Sequence, residues 1–372
     1  MHKKNYNTII DSALKVKEGI AQPSSINEDA VIRLKNKKQN ILSTSEYVDG
    51  IRSGNRTILS KAITLIESSL PAHYKLAQLI IEKCIPYSGN SIRIGITGVP
   101  GVGKSTFIEA FGKYLTLNGR RLAVLAIDPS SEKSKGSILG DKTRMEELSV
   151  DINAFIRPSP AAGTLGGVAR KTRESIILCE AAGFDTVFVE TVGVGQSETV
   201  VSSMVDFFLL LMLAGAGDEL QGIKRGIMEM ADAIVINKAD GDNILRAKTA
   251  QIEYQNALHL FPPTSSGWIP LSEICSSKTK DGIEKVWNII NSYFELTKKS
   301  GYFTSKRLEQ AKYRMYESIN EQLQDEFYEN EKVKLLINST EADLLTQKIS
   351  AYNAAQKLLD AYHLSERKTT NK

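Results

Sequence analysis

Residues 92–106 read Ile-Arg-Ile-Gly-Ile-Thr-Gly-Val-Pro-Gly-Val-Gly-Lys-Ser-Thr, an apolar run that leads directly into a glycine-rich stretch. Residues 98–105 fit the pattern G-x-x-x-x-G-K-[S/T], whose glycines let successive N–H groups face one anion. The apolar run predicts a strand, and residues 107–117 predict a helix whose positive N-terminal end also attracts phosphate. This order of strand, loop and helix predicts a site for the phosphates of a nucleoside triphosphate.

The residues of this loop have separate expected roles. Lys104 supplies a positive charge to the β- and γ-phosphates, and the Ser105 hydroxyl is a ligand for Mg²⁺. The whole loop is predicted to contact the nucleotide, through Gly98, Val99, Pro100, Gly101, Val102, Gly103, Lys104, Ser105 and Thr106.

Short apolar runs recur through the middle of the chain, separated by longer mixed segments. They lack the apolar/polar alternation of a half-exposed strand, so they predict strands buried on both faces. We therefore expect an α/β fold of the P-loop NTPase type, with a doubly wound, mostly parallel sheet and helices on both faces. The predicted strands are Ile92–Thr97, Leu122–Asp128, Thr186–Thr191, Phe207–Leu213, Ala233–Asn237 and Trp268–Ser272.

Helical periodicity flanks the predicted sheet on both sides. We expect a polar arm (1–45), a helical cap of two helices broken at Pro71 (46–90), a P-loop domain (91–282) and a helical extension (283–372). Apolar residues predict helices in the extension over about 283–294, 308–327 and 341–362. Their long apolar stripe favours a dimerisation arm, with folding back on the chain's own core as the alternative.

Composition limits the class of protein. The 372 residues carry a net charge of only +4, too weak to indicate nucleic-acid binding without a basic face. The longest apolar run, residues 207–214, is far shorter than a membrane span, and we expect no membrane partner. Three scattered cysteines fit a reduced, cytoplasmic protein in which they are buried.

The segment Asn237-Lys-Ala-Asp240 follows a predicted strand and has the pattern N-K-x-D. A carboxylate at Asp240 can accept two hydrogen bonds from guanine, whereas adenine lacks that donor pair. Lys238 is expected to cover the base plane and Asn237 to tie the loop together. Ser272 stands where a further base-side loop is expected, although a plain turn serine is an equal alternative.

Two further predicted strands end on acids, Asp128 and Glu190. Mg²⁺ takes oxygen ligands, mostly water with one or two carboxylates and phosphate oxygens, so both are candidate metal ligands. Gly193 can bring a backbone N–H to the γ-phosphate. Asp141, in a polar stretch with several glycines, is a candidate for holding a metal-bound water. A helix-capping role is the alternative for a single acid at a strand end.

Residues 215–226 form a second glycine-rich segment and a candidate switch. The ordinary interpretation of its Lys224 and Arg225 is that they are solvated surface charges.

Together these motifs resemble one family, the MeaB/MMAA GTPases associated with methylmalonyl-CoA mutase, once described as ArgK transport ATPases. The matching strings are Gly98-Val-Pro-Gly-Val-Gly-Lys-Ser-Thr106, Asp128-Pro-Ser-Ser131, Gly140-Asp-Lys-Thr-Arg-Met145, Glu190-Thr-Val-Gly-Val-Gly-Gln-Ser-Glu198, Gln221-Gly-Ile-Lys-Arg-Gly226 and Asn237-Lys-Ala-Asp240.

The resemblance implies a GTP/GDP- and Mg²⁺-binding chaperone that gates cofactor loading into an adenosylcobalamin-dependent mutase and that forms a homodimer through its C-terminal helices. It implies that Asp128, Asp141 and Glu190 are magnesium and switch acids, and that Lys224 is a mobile switch residue acting in hydrolysis. We expect slow intrinsic turnover that the partner stimulates, with Gln196 as another candidate for orienting water.

Three other functions are left open by the residues. A transport-associated ATPase or kinase is disfavoured by residues 237–240, and a metal-insertion GTPase by the presence of only four histidines. A purely structural dimer with an inactive phosphate loop would hydrolyse nothing.

Overall fold

The computed structural model describes residues 41–68, 70–128, 145–160, 165–191, 197–215, 225–262 and 264–369. Seven strands in these residues form one sheet in the order β3-β2-β4-β1-β5-β6-β7, and every neighbouring pair is parallel. The strands are β1 (Ile92–Gly98), β2 (Leu122–Asp128), β3 (Ala154–Pro160), β4 (Thr186–Thr191), β5 (Phe207–Leu213), β6 (Ala233–Asn237) and β7 (Leu271–Ile274).

The predicted α/β class is confirmed, and two details of the sheet differ from the prediction. Strand β3 was not predicted, because Arg157 and Pro158 interrupt its apolar run. Proline is tolerated there because β3 lies at the edge of the sheet and pairs only with β2. The last strand is β7 rather than the predicted 268–272, since Pro270 precedes the first paired residue.

Thirteen α-helices are present in the described residues. They are α1 (Thr44–Arg52), α2 (Arg56–Glu67), α3 (Pro71–Cys84), α4 (Lys104–Leu117), α5 (Glu146–Ser149), α6 (Leu165–Ala181), α7 (Ser197–Ser202), α8 (Arg225–Met230), α9 (Ile244–Leu258), α10 (Ile283–Lys299), α11 (Tyr302–Glu329), α12 (Glu331–Leu345) and α13 (Ala351–Thr369).

Helices cover both faces of the sheet. On one face, Phe111 of α4 stacks on Phe188 of β4 at 5.2 Å and lies 6.1 Å from Trp287 of α10, measured between ring centroids. On the other face, α7 comes so close to β1 that a Cβ added at Gly95 would lie 2.9 Å from Val201. The core of the molecule therefore lies on either side of the central strands β1, β4 and β5.

The N-terminal helices α1, α2 and α3 pack on one another and on α6. The two helices expected around Pro71 are present as α2 and α3, and α1 is an additional one. Asn55 begins α2 by accepting hydrogen bonds from the Thr57 and Ile58 N–H groups, at 3.0 and 3.2 Å. Proline in the first turn of α3 sacrifices no helical hydrogen bond, which explains the break at that position.

The C-terminal helices differ from the prediction in one respect. The helix predicted over 341–362 is wrong, because two helices, α12 and α13, meet between Thr346 and Ser350. Gln347 in that turn has φ 57°, a left-handed conformation that no continuous helix contains. As predicted, α11 ends in the polar stretch after Phe327, and Asn330 then caps α12.

The three cysteines, Cys84, Cys179 and Cys275, are free and buried, as expected. Within the described residues, no helix is both long and apolar enough to cross a membrane.

Candidate nucleotide site

The loop between β1 and α4 lies at the carboxyl end of the sheet, where parallel α/β folds bind ligands. Two of its glycines are required, Gly98 by close packing and Gly103 by its left-handed backbone. A Cβ at Gly98 would lie 2.5 Å from the Leu211 carbonyl oxygen of the neighbouring strand β5, so only glycine lets the chain leave β1 here. Gly103 precedes α4 at φ 86°, and a Cβ there would lie 3.3 Å from the Asn237 side-chain nitrogen.

The Lys104 ammonium lies over this loop and donates a hydrogen bond to the Gly98 carbonyl at 2.9 Å. Burial lowers the pKa of Lys104, and the carboxylates of Glu190 and Glu198 oppose that effect. The positive charge is therefore held at the start of α4 by two acids on neighbouring elements. This arrangement suits a cation that must meet phosphate oxygens.

The acids come from β4 and α7. Glu190 is only 4% exposed, and Glu198 in the first turn of α7 is fully buried. After Glu190, the Thr191 hydroxyl donates to the Thr97 hydroxyl at 2.7 Å, which ties the end of β4 to the end of β1. The predicted acid Glu190 is thus brought beside the predicted phosphate loop.

Mg²⁺ is implied at this position, and the described residues fit it. Magnesium in phosphate sites usually takes one or two carboxylates and a hydroxyl while keeping several waters. Glu190 offers a carboxylate beside Lys104, and Ser105 stands in the first turn of α4. The backbone of Asp128 ends β2, next to β4 in the sheet, and its side chain lies outside the described residues.

Asn237, the last residue of β6, joins the phosphate loop to a second loop. It is 1% exposed, and its side-chain nitrogen donates to the Val102 carbonyl at 2.9 Å. Its oxygen accepts from the Ser277 backbone N–H at 3.2 Å and from the Ser277 hydroxyl at 2.8 Å. One amide therefore fixes the spacing between the phosphate side and the loop after β7.

Lys238 and Asp240 complete this half of the site. The Lys238 ammonium donates to the Gly101 carbonyl at 2.8 Å, so its alkyl stem extends from β6 across to the phosphate loop. The backbone of Lys238 is left-handed, with φ 59°. The Asp240 carboxylate accepts a 2.5 Å hydrogen bond from the Ser276 hydroxyl, which fixes its orientation.

Ser272 is not part of this group, which corrects the sequence-based expectation. It lies inside β7, where its N–H and carbonyl bond the side chains of Gln255 and Gln251 on α9. The serines that contact Asn237 and Asp240 are Ser277 and Ser276. Ser276 and Ser277 were missed because the last strand was predicted to begin at residue 268 rather than 271. The serine pair shortly after the observed strand β7 is the sequence signal that could have identified them.

Several predicted residues lie outside the described part of the chain. They are the switch and metal candidates Asp141, Gly193, Gln196 and Lys224. The strands that precede these candidates in the chain, β2, β4 and β5, all end at the carboxyl edge of the sheet, and the short helices α5, α7 and α8 follow them.

Comparison with known proteins identifies the family. The model of the family described as "Methylmalonyl Co-A mutase-associated GTPase MeaB" matches residues 59–332, well over half of the chain. The chain belongs to the MeaB family. The family resemblance inferred from the motifs is confirmed, and with it the assignment of the chain as a GTPase.

Relatives in the MeaB family align over most of their length. GTPase ArgK of Escherichia coli strain K12 is 46% identical over 292 residues, which cover 78% of this chain and 88% of that protein. The mitochondrial methylmalonic aciduria type A homolog of Mus musculus is 46% identical over 323 residues, covering 84% and 78%.

Among solved structures, a crystal structure of an LAO/AO transport system kinase is similar, with a TM-score of 0.69 and 37% identity. The match covers 86% of this chain and 97% of that one.

Proposed function

We propose that this MeaB-family GTPase binds GTP with Mg²⁺ at the site around Lys104 and serves as a chaperone for an adenosylcobalamin-dependent mutase, methylmalonyl-CoA mutase. The observation that carries the nucleotide part is the Asn237 side chain. It connects the phosphate loop to the loop after β7 through Val102 and Ser277. Because this amide fixes the distance between the phosphate loop and the proposed base-binding loop, one nucleotide can occupy both.

Selectivity for guanine follows from Asp240. Its carboxylate is oriented by the Ser276 hydroxyl at 2.5 Å, and it accepts the two N–H groups that guanine presents. Adenine offers no such pair, which would leave a desolvated carboxylate without donors. The Lys238 stem, which extends across to Gly101, covers the plane of the base.

In hydrolysis, the chain's own contribution is to hold the phosphates and to neutralise charge that develops on the γ-phosphoryl oxygens. Lys104 and the N–H groups of residues 98–105 perform this. Ser105 and Glu190, together with Asp128 and Asp141, would hold Mg²⁺, which supplies further neutralisation of phosphate charge when bound. Among the described residues none is placed to orient the attacking water, so we expect slow turnover by the chain alone.

The partner is proposed to raise that turnover by reordering the segment 215–226 and bringing Lys224 to the nucleotide. An added cation at the γ-phosphate raises the rate of phosphoryl transfer by large factors. Hydrolysis would then time the release of the mutase after cofactor loading. The sequence support for this step is the Gln221–Gly226 string.

We also propose that the chain acts as a homodimer through α11. One face of this helix carries apolar side chains that are about half exposed or more in the single chain, with none below 45%, an arrangement that favours burial against a second copy. The stripe consists of Leu308 (67% exposed), Met315 (51%), Ile319 (45%) and Leu323 (56%).

Nucleotide titration of an Asp240→Asn variant tests the guanine assignment. The amide keeps the shape but turns one acceptor into a donor, so we expect GDP affinity to fall at least tenfold. Affinity for xanthosine diphosphate, which has a carbonyl in place of the 2-amino group, should rise. Equal wild-type affinities for GDP and ADP would overturn the assignment and would favour an ATP-driven enzyme.

Turnover of GTP with purified methylmalonyl-CoA mutase tests the chaperone role. We expect the mutase to stimulate hydrolysis by the wild type and not by Lys224→Ala, with Arg225→Ala as the neighbouring control. Equal stimulation of both variants would refute the role of Lys224. No stimulation of the wild type, together with no GTP-dependent binding of the mutase, would refute the partner.

A further inference from the structure

Arg173 of α6 connects two helices that are far apart in sequence. One guanidinium nitrogen donates to the Ser203 hydroxyl, directly after α7, at 2.8 Å. Another donates to the Glu317 carboxylate on α11. Arg173 as a whole residue is only 9% exposed, so the guanidinium is committed to these partners rather than to solvent.

The contact at Ser203 holds the end of α7. While the Ser203 hydroxyl accepts from Arg173, it also donates to the Val200 carbonyl in the last turn of the helix, at 2.6 Å. The last turn of α7 also packs through Val201 against Gly95 of β1, where there is no room for a Cβ. This end of the helix is therefore fixed both by a hydrogen bond and by packing.

The other end of α7 reaches the nucleotide site. Its first turn contains Glu198, which is fully buried, and the helix packs on β1, which leads into the phosphate loop, and on β4, which carries Glu190. Glu198 also opposes the lowering of the Lys104 pKa by burial. A shift of this six-residue helix would move that carboxylate relative to the ammonium that meets the phosphates.

On the other side, α11 is held to the same region through several polar side chains on one face. Gln310 donates to the Val205 carbonyl, just after α7, at 2.8 Å, and Arg314 donates to Glu174 beside Arg173 at 3.2 Å. Arg314 and Arg170 add positive charge around Arg173. Glu321 of α11 also acts on Arg170 and Arg173, but Glu317 is the carboxylate that Arg173 contacts directly. Removing the Glu317 charge would therefore leave a buried guanidinium without its ion-pair partner, which is unfavourable.

We propose that Arg173 is a positioning residue for GTP hydrolysis, which holds α7 against β1, the strand that leads into the phosphate loop, and β4, the strand that carries Glu190, and that Glu317 of α11 is required to keep it there. Helix α11 thus takes part in turnover although it supplies no group to the nucleotide. This inference rests on the proposed hydrolysis at the Lys104 site.

The test measures GTP turnover and amide hydrogen exchange of residues 197–204 in full-length variants. Ser203→Ala removes only the hydrogen bond between Arg173 and the end of α7. Glu317→Gln removes the negative charge that Arg173 contacts on α11, and Ser203→Thr is a variant that keeps the hydroxyl. Glu329→Gln is the matched control, because it breaks an ion pair of the same helix with an exposed partner, Lys334.

We expect Ser203→Ala and Glu317→Gln each to lower kcat at least threefold and to speed exchange in residues 197–204 at least fivefold, with KM for GTP changed less than twofold. Ser203→Thr should behave as the wild type, and the double variant should be no worse than the poorer single one, since both act through Arg173.

Exchange in residues 197–204 no faster than in Glu329→Gln would overturn the inference, as would losses of kcat that multiply in the double variant. A wild type that hydrolyses no GTP would instead refute the proposed function, and the exchange rates would still decide whether Glu317 holds α7.

Discussion

The two ends of the parallel sheet are held by different chemistry. Where the strands begin, an aspartate precedes each of β4, β5 and β6, and its carboxylate accepts from the backbone N–H at the start of a neighbouring strand. Asp185 accepts from Arg121 at 3.1 Å, Asp206 from Arg93 at 2.8 Å, and Asp232 from Phe208 at 2.8 Å. Arg307 of α11 then pairs with Asp206 at 2.7 Å.

Where the strands end, the contacts that join them are mostly between neutral groups. The Thr191 hydroxyl meets the Thr97 hydroxyl, and the Asn237 amide meets Val102 and Ser277. Among the described loops at this edge, Lys104 and Lys238 bond to backbone carbonyls rather than to carboxylates. Carboxylates thus join the strands where they begin, whereas neutral groups join them where they end.

Replacing Asp206 by asparagine should give the largest effect on stability. The change keeps the shape but removes the charge that Arg307 pairs with in a site where Asp206 is 1% exposed. Loss of one partner of a buried pair costs about 3–5 kcal/mol. Urea unfolding should show that loss, and the fraction that stays folded should bind GDP as the wild type does. Weakened binding without lost stability would contradict the separation of the two edges.

Replacing Gly98 by alanine, at the edge where the strands end, should weaken nucleotide binding in addition to lowering stability. The added Cβ must move away from the Leu211 carbonyl 2.5 Å distant, which displaces the phosphate loop. Overpacking of this kind costs about 1–3 kcal/mol, and we expect GDP affinity to fall at least tenfold. Gly119→Ala is the control, because its φ is also positive but nothing lies within 4 Å. Isothermal titration of GDP should separate the two variants.

Replacing Asp232 by asparagine should stabilise the protein at neutral pH. Burial raises the pKa of Asp232 from 3.8 to about 6, although Lys306 and the Phe208 N–H oppose the shift. The folded state therefore keeps this proton to higher pH than the unfolded chain. The associated stability is full below about pH 4 and is lost as the pH rises through about 6.

Asp232→Asn should thus raise the free energy of unfolding at pH 7 by about 3 kcal/mol. The variant should also show a weaker pH dependence of the free energy of unfolding between pH 4 and 6. Thermal unfolding measured across this range checks both, and an unchanged slope would show that Asp232 does not titrate there.

Replacing Ser276 by alanine should have the smallest effect of the four. The Asp240 carboxylate would lose the 2.5 Å hydrogen bond that orients it, and a hydrogen bond to a charged group is worth about 1.5–3 kcal/mol at most. Because the Asp240 carboxylate is half-buried and within reach of water, we expect only about a fivefold loss of GDP affinity. Ser276 itself is fully buried and its hydroxyl also accepts from the Thr279 N–H at 3.1 Å, so stability should fall by about 1 kcal/mol. A Ser272→Ala variant should leave GDP affinity unaltered, because that residue faces α9.

The sequence predicted most of the sheet because its central strands are buried on both faces and read as uninterrupted apolar runs. It failed for β3, where an edge position tolerates Arg157 and Pro158. The phosphate loop and residues 237–240 were found because their chemistry depends on local spacing. The contact between Asn237 and Ser277 was not, since it joins residues 40 positions apart. The aspartates before β4, β5 and β6 illustrate the same limit. Each can be located in the sequence, but the neighbouring strand whose N–H group it accepts from is set by the order of strands in the sheet.

The composition of the edge strand β3 also has a consequence for self-association. An open sheet edge offers backbone donors and acceptors to any extended chain that meets it, a common route to aggregation. Two of the seven residues of β3, Pro158 and Pro160, carry no N–H group, and β7 at the opposite edge has only four residues. Neither edge is a good template for an eighth strand, so intermolecular strand addition is disfavoured at both sides of the sheet.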